Sequence, residues 1–394
     1  MQRQGVVNHQ NTSDCHNHTQ HISDSLLQIL GEECNNTDLD AVLSKEGDWG
    51  SGSNGTGQTR GSHSWQTEFL DSSRFWIPFF LTPVLFIVGV ICNVVSIKIF
   101  AKSSMRSATN IYLTALAVSD LLYQVFSFTM SWKYYYIMRN VSLYWWYTPF
   151  GLWLTEASNA TSVWIIVAFT VERFIAISCH LSRQIYCTEN RTILVSILTF
   201  VSCLTFTGGF SYEWRGAFEP TEGNPLNETV YKLDSTGAWK EDEFQKSYQW
   251  IYTVYFFLIP VIILVGFNCF LGKFVRNTER DRQVMTRHRV FAVTQRQLND
   301  NQVTTTLIAV SMMYIICQLP TNLLEIYTLV YTPTSGSIKE SILMELRNIF
   351  KFMGRVNSIC NILIYIALYR NFRKHFCTMY CRRQTRNLAR NALR

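Results

Sequence analysis

The sequence predicts an all-α membrane protein: a seven-transmembrane helix bundle with a short membrane-surface helix after the seventh helix. Three observations predict it: seven apolar blocks of membrane-crossing length, basic residues gathered in short connections on one side, and glycosylation sequons on the other. A helix rises about 1.5 Å per residue, so about 20 apolar residues cross a hydrocarbon core of about 30 Å. The chain has 394 residues, 48% of them hydrophobic, with a mean hydropathy just above zero. A soluble all-α protein would show shorter, amphipathic runs instead.

The blocks are Phe75 to Ala101, Ala108 to Trp132, Thr148 to His180, Thr192 to Ser211, Tyr248 to Lys273, Val303 to Tyr331 and Ile342 to Tyr369. Their odd number puts the two ends on opposite sides, and charge says which. Leu271 to Asn299 carries Lys273, Arg276, Arg280, Arg282, Arg287, Arg289 and Arg296 against Glu279 and Asp281. The tail from Arg370 has eight basic residues and no acid, whereas the first 73 residues hold Arg3, Lys45 and Arg60 against ten acids. The positive-inside rule places the N-terminus outside and the C-terminus in the cytoplasm of a multi-pass plasma-membrane protein. A nucleic-acid surface is the rival reading of these arginines; their confinement to short loops and a tail beside apolar blocks argues against it.

Residues 1–73 are polar and aperiodic and read as a disordered, glycosylated extracellular tail. Sequons begin at Asn11, Asn17, Asn35 and Asn54 within it, at Asn140 after block two and at Asn227 after block four, all on the side expected outside. Matches at Asn159, inside block three, and Asn190, on the inner side, are chance hits. No apolar run resembles a cleavable signal peptide, so the first block is expected to serve as the insertion signal. His16, His18 and His21 lie beside Cys15 without a second cluster to complete a metal set. Cys15 and Cys34 could pair in the oxidising exterior.

Within the blocks, polar residues carry the information. Asp120 in block two is costly at membrane depth and must face partners from other helices. Asn93 in block one, Ser162 in block three, and Asn357, Ser358 and Asn361 in block seven can supply them. Oxygen ligands of this kind suit a sodium ion at Asp120, an allosteric ion rather than a cofactor; interhelical hydrogen bonding alone is the alternative. Block three organises the rest, because it ends in Glu172-Arg173, and an arginine near a membrane face must pair, snorkel or face a cavity.

Asn93, the Leu-Ala-Val-Ser-Asp run ending at Asp120, Glu172-Arg173-Phe174, Pro260, Cys317-Gln318-Leu319-Pro320 and Asn361-Ile362-Leu363-Ile364-Tyr365 occur in order in the expected blocks. The chain therefore resembles a rhodopsin-like (class A) G-protein-coupled receptor over about residues 75–377. The resemblance implies a receptor domain over 74–369, with a heterotrimeric G protein and arrestin as partners. It also implies a switch in which Arg173 pairs with Glu172 and an acid at the inner end of block six. Counting back from Pro320, Asp300 lies about 30 Å away along a helix and is placed to hold Arg173; an ordinary acid at a helix N-terminus is its other reading. On activation the inner end of block six would swing out, with Tyr365 moving into the vacated space, a two-state element biased by ligand.

Departures narrow the resemblance. The sequence has no cysteine between Cys92 and Cys179 or between Cys203 and Cys269, so the family's outer disulfide cannot form. The loop Tyr212 to Ser247 must be held otherwise, by Tyr212, Trp214 and Phe218 on the bundle. Gln318 stands where relatives carry tryptophan, Ile362 where they carry proline and Asn268 where tyrosine is common, and block four lacks its usual tryptophan. Losing the proline should straighten block seven. These traits and Trp164 are similar to neuropeptide receptors of the FMRFamide, myosuppressin and myoinhibitory or sex-peptide group; receptors for small aromatic amino acids are the alternative.

The resemblance also excludes ligands. Arg355 occupies the block-seven position where retinal would need a lysine, Lys351 lies one turn outward, and Thr155 replaces an amine-binding aspartate. Glu156 follows Thr155, turned about 100° onto another face. The candidate ligand-binding set is Trp153, Glu156, Asn159, Trp214, Gln318, Asn322, Glu325, Arg347, Lys351 and Arg355, with Tyr134, Tyr135 and Tyr136 nearby. It suits an extracellular peptide with a cationic side chain, aromatic residues and an amidated C-terminus. Alternatively, Glu156 and Arg355 pair with each other.

Residues 370–377 form an amphipathic juxtamembrane helix, with Phe372 and Phe376 on one face and Arg373 and Lys374 free for anionic membrane lipids. Cys377 and Cys381 are candidate palmitoylation sites, or else reduced cytosolic thiols. The basic cytoplasmic tail, 378–394, offers Thr378 and Thr385 as its Ser/Thr hydroxyls. A secondary transporter, the rival from another class, would show internal repeats; a channel would show pore-lining repetition. The sequence has no metal-spaced His/Cys set, nucleophile elbow or phosphate-binding glycine loop that would point to an enzyme.

Overall fold

The computed structural model describes residues 65–139, 141–178, 188–220, 229–235, 242–284, 291–331 and 338–381. Seven helices among the described residues are long and apolar enough to cross a membrane. Helix α1 runs Trp65–Trp76, passes through a wide π turn at Ile77–Leu81 and continues over Thr82–Phe100. Next come α2 (Ala108–Met130, ending in a tight turn at Ser131–Tyr134), α3 (Ser142–Ser178) and α4 (Glu189–Phe206). Helix α5 comprises Asp242–Thr253, a π turn at Val254–Leu258 and Ile259–Val284. Finally, α6 (Phe291–Val330), α7 (Ile338–Leu368) and α8 (Arg370–Phe376, followed by a π turn at Cys377–Cys381) complete the order.

Prolines shape the helices. Pro260 cannot donate to the carbonyl four residues back, and the π turn directly before it absorbs that loss. Pro320 lies inside α6 and Pro149 inside α3. With Ile362 in place of a proline, α7 is α-helical over Ile338–Leu368. Ser107 begins α2 by accepting from the Asn110 backbone N–H at 3.3 Å.

Apolar side chains cover the outside of the bundle. Ile87 and Ile91 of α1, Leu194 and Leu198 of α4, and Ile262 of α5 are each more than half exposed, as a lipid-facing belt requires. The core is built from Phe100, Tyr112, Phe169, Leu264, Leu307 and Tyr365, and Phe372 of α8 is fully buried against Phe100 and Tyr365. Phe376 stacks on Phe372, so the predicted apolar face of α8 forms. Gly89 permits the close approach of α1 and α2: a Cβ there would lie 2.9 Å from Gln124.

Three differences from the sequence reading emerge. Helix α1 begins at Trp65, inside the segment expected to be tail, and its Ser73 hydroxyl donates to Glu345 of α7 at 3.4 Å. Asp300 lies well inside α6, which starts at Phe291, and so is not a helix N-terminal acid. The long loop after α4 contains an antiparallel hairpin, β1 (Trp214–Pro220) with β2 (Thr229–Ser235), pairing Trp214 with Ser235 and Pro220 with Thr229. Its backbone lies against α3, and this pairing organises a loop that has no disulfide available. The six described cysteines are all free thiols.

Candidate functional site

Three polar levels are stacked along α3. At the first, a cavity of about 170 Å³ lies among α2, α3, α5, α6 and α7. Glu156, Asn159, Gln318, Asn322, Glu325, Lys351 and Arg355 line it. Glu156 accepts from Tyr252 of α5 at 3.0 Å and faces Lys351 of α7 at 3.6 Å. Asn159 accepts from Gln318 of α6 at 3.0 Å, and Asn322 donates to the Gln318 carbonyl at 2.8 Å. Gln318, which stands where the resemblance implies a tryptophan, is thus an amide that cross-links α3 and α6.

Several expected members are placed elsewhere. The Trp153 indole N–H donates to the Leu204 carbonyl at 2.9 Å, so this residue faces α4 and not the cavity. Arg347 donates to Thr328 of α6 at 3.2 Å and is not a lining residue. Arg355 does not pair with Glu156; its Nη1 donates to Thr82 of α1 at 2.8 Å. Thr155 and Glu156 both line the cavity, because a long side chain spans the 100° that separates them on the helix. Trp214 belongs to β1, and its side chain and that of Phe218 lie outside the described residues, as does the Tyr136 side chain.

The second level surrounds Asp120. Ser162 donates to its Oδ1 at 2.8 Å and Asn361 to its Oδ2 at 2.7 Å, and Ser119 lies 2.9 Å from the Ser162 hydroxyl. Asn93 and Ser358 form a neighbouring group: Asn93 donates to the carbonyls of Gly89 and Ser358 at 3.0 and 3.2 Å. Sequence reasoning missed Gln124, one helical turn beyond Asp120 on the same face, which donates to Ser358 Oγ at 2.5 Å and to the Arg355 carbonyl at 2.9 Å. The i, i+4 spacing from Asp120 was the available signal. The buried oxygens Asn361 Oδ1 and Asn357 Oδ1 have no hydrogen-bond partner among the described residues. Oxygens such as these and those of Asp120 and Ser162 are of the donor type that suits a hard monovalent cation.

At the third level, Arg173 donates from Nη2 to Glu172 at 2.8 Å, and both side chains are buried. The Arg173 guanidinium also lies 5.8 Å from the Phe169 ring. The expected bridge from Arg173 to Asp300 is not among the ion pairs of the described residues; the adjacent carboxylate already neutralises the arginine. Tyr365 is buried beside Phe100, and its hydroxyl has no partner among the described residues. Tyr369, at the start of α8, donates to Asn110 of α2 at 3.0 Å.

Modification sites are less visible. Asn11, Asn17, Asn35, Asn54, Asn140 and Asn227 all lie outside the described residues, as do Cys15 and Cys34. The Cys377 thiol is exposed beside α8, and the Cys381 side chain is outside the described set. The Asn159 sequon is interior, as its place in block three predicts.

Against known proteins, the family described as 7 transmembrane receptor (rhodopsin family) matches residues 92–365. The sex peptide receptor of Drosophila melanogaster is 26% identical over 254 residues, covering 60% of this chain and 57% of that protein. The FMRFamide receptor of Drosophila melanogaster is 22% identical over 325 residues, 80% of this chain and 56% of that protein. Lysophosphatidic acid receptor 4 of Homo sapiens is 28% identical over 224 residues, 55% of this chain and 56% of that protein. The chain thus spans little more than half the length of these relatives.

Proposed function

The chain belongs to the rhodopsin family of seven-transmembrane receptors, and on that premise we propose that it is a receptor for an extracellular neuropeptide, coupling to heterotrimeric G proteins. The proposal includes the topology read from charge, with the cavity opening outward and the Arg173 end in the cytoplasm, where G protein and arrestin would bind. One observation carries it: α3 holds Glu156, contacted by Lys351 of α7 and Tyr252 of α5, toward one end and the Glu172–Arg173 pair toward the other. A ligand that rearranges the Glu156 contacts therefore acts on the helix that carries the switch.

The relatives named for sex peptide and FMRFamide support a peptide, and the cavity's size limits how it enters. At about 170 Å³ it is smaller than the roughly 300–1,000 Å³ typical of drug-sized sites, so it takes a terminal residue or two. A basic side chain would be directed to Glu156 and Glu325, and an amidated C-terminus to Asn159, Gln318 and Asn322. That small volume also favours a second reading, a small aromatic amino acid as ligand. Asp120, Ser162 and the open oxygen of Asn361 would hold a sodium ion, which supplies a mobile positive charge next to the carboxylate when bound. Glycans on the N-terminal sequons and acyl chains on Cys377 and Cys381 complete the proposal, with α8 resting on anionic lipid.

The deciding experiment expresses the receptor in cells and applies amidated peptides with a second-messenger readout for each G-protein class. Responses that disappear in Arg173→Ala, at unchanged surface expression, are the expected result. Solute uptake or ionic currents without any G-protein signal would replace the receptor reading with a transporter.

A further inference from the structure

Arg355 is a cation of the cavity without a carboxylate partner among the described residues. Its Nη1 donates to Thr82 Oγ1 of α1 at 2.8 Å and its Nη2 to the Ser127 carbonyl of α2 at 3.4 Å. Its buried Nε has no partner. Both acceptors are neutral, and the ion pairs of the described residues join Arg106 to Glu189, Arg173 to Glu172 and Lys351 to Glu156. The other lining cations are engaged: Lys351 faces Glu156 at 3.6 Å, and Lys133 stands 5.0 Å over the Tyr134 ring. Among the described lining residues, three cations, Lys133, Lys351 and Arg355, stand against two carboxylates, Glu156 and Glu325, one positive charge in excess.

The charges are also sorted in space. The carboxylates belong to α3 and α6, with Glu156 tied to α5, whereas Arg355 is tied to α1 and α2. A guanidinium removed from water and left without an opposite charge is costly, and its planar fork matches a carboxylate through two parallel hydrogen bonds. The unpartnered Nε and the long Nη2 contact are the pair of donors that such a group would take.

We infer that Arg355 binds a carboxylate of the activating ligand. The ligand class is therefore one that brings an acidic group, from a side chain or a free C-terminus, to the α1–α2 side of the cavity while presenting a basic or polar group to Glu156 and Glu325. The inference rests on the cavity being the ligand site. It goes beyond the amidated-peptide reading, because an amide alone leaves the guanidinium charge unmatched.

Thermal unfolding of the purified full-length receptor tests this without knowing the natural ligand. The probes are matched pairs: N-acetylglutamate α-amide against N-acetylglutamine α-amide, and N-acetylphenylalanine against its amide. At equal concentration and counter-cation, at least one acid is expected to raise the unfolding temperature while its amide does not. The shift disappears in Arg355→Gln and is weakened at least several-fold in Arg355→Lys, which keeps the charge and loses the fork. A response to the first acid alone assigns the carboxylate to a side chain, and a response to the second alone to a C-terminus. Equal effects of acids and amides, no effect of either acid on the wild type, or an acid-specific shift that persists in Arg355→Gln or is undiminished in Arg355→Lys overturns the inference. Acid-specific stabilisation of a receptor that evokes no G-protein signal would defeat the proposed function and leave the role of Arg355 standing.

Discussion

Asn361 of α7 donates to the Asp120 carboxylate of α2 at 2.7 Å, joining two helices far apart in sequence through two buried side chains. Ser162 of α3 holds the other carboxylate oxygen at 2.8 Å, so three helices meet on one charge. Removing one donor leaves that charge under-satisfied, a loss of about 1–3 kcal/mol. Asn361→Ala is therefore expected to lower the unfolding temperature of the purified receptor. Asp120→Asn in the same background should recover part of the loss, because the neutral amide tolerates the missing donor. Identical losses with aspartate or asparagine at 120 would count against this account.

Glu172→Gln is expected to raise basal nucleotide exchange on a reconstituted G protein by roughly five- to tenfold, since a charge-assisted bond exceeds a neutral one by about 1 kcal/mol or slightly more. Asp300→Asn should do much less, because the ion pair of Arg173 is with Glu172. A larger effect at Asp300 would restore the pairing expected from the sequence.

Gly89→Ala places a methyl group 2.9 Å from Gln124, whose amide bridges to Ser358 and the Arg355 carbonyl. Overpacking of this kind costs about 1–3 kcal/mol. Combining Gly89→Ala with Gln124→Ala should cost less than the sum of the two single changes, a non-additivity that a double-mutant cycle of unfolding temperatures measures directly.

Trp153→Phe removes the hydrogen bond to the Leu204 carbonyl and should lower stability by about 1 kcal/mol with unchanged peptide potency. Glu156→Gln should behave in the opposite way, releasing Lys351, keeping an acceptor for Tyr252, and weakening responses to basic peptides with little loss of stability. Concentration–response curves on both variants, read beside their unfolding temperatures, separate the two roles.

Much of this molecule was legible in its sequence because membrane constraints are local. Apolar length marks the seven spans, and loop arginines set an expected orientation without knowledge of any contact. Glu172 and Arg173 are chain neighbours and could be paired on inspection, and Asp120 had to be interior because water is absent at that depth. Partner choice among distant residues was not legible. Trp153 and Arg347 were drawn toward the cavity by residue type, yet Trp153 faces α4 and Arg347 bonds Thr328 of α6. The sequence offered Arg355 as the partner of Glu156, and only the tertiary structure assigned Glu156 to Lys351 and left Arg355 to α1 and α2. The physical reason is helix phase: one residue along a helix turns a side chain by about 100°, while the relative rotation of two helices is fixed by their packing. The sequence by itself determined that these charges would be interior, and only the tertiary structure decided which of them neutralise one another.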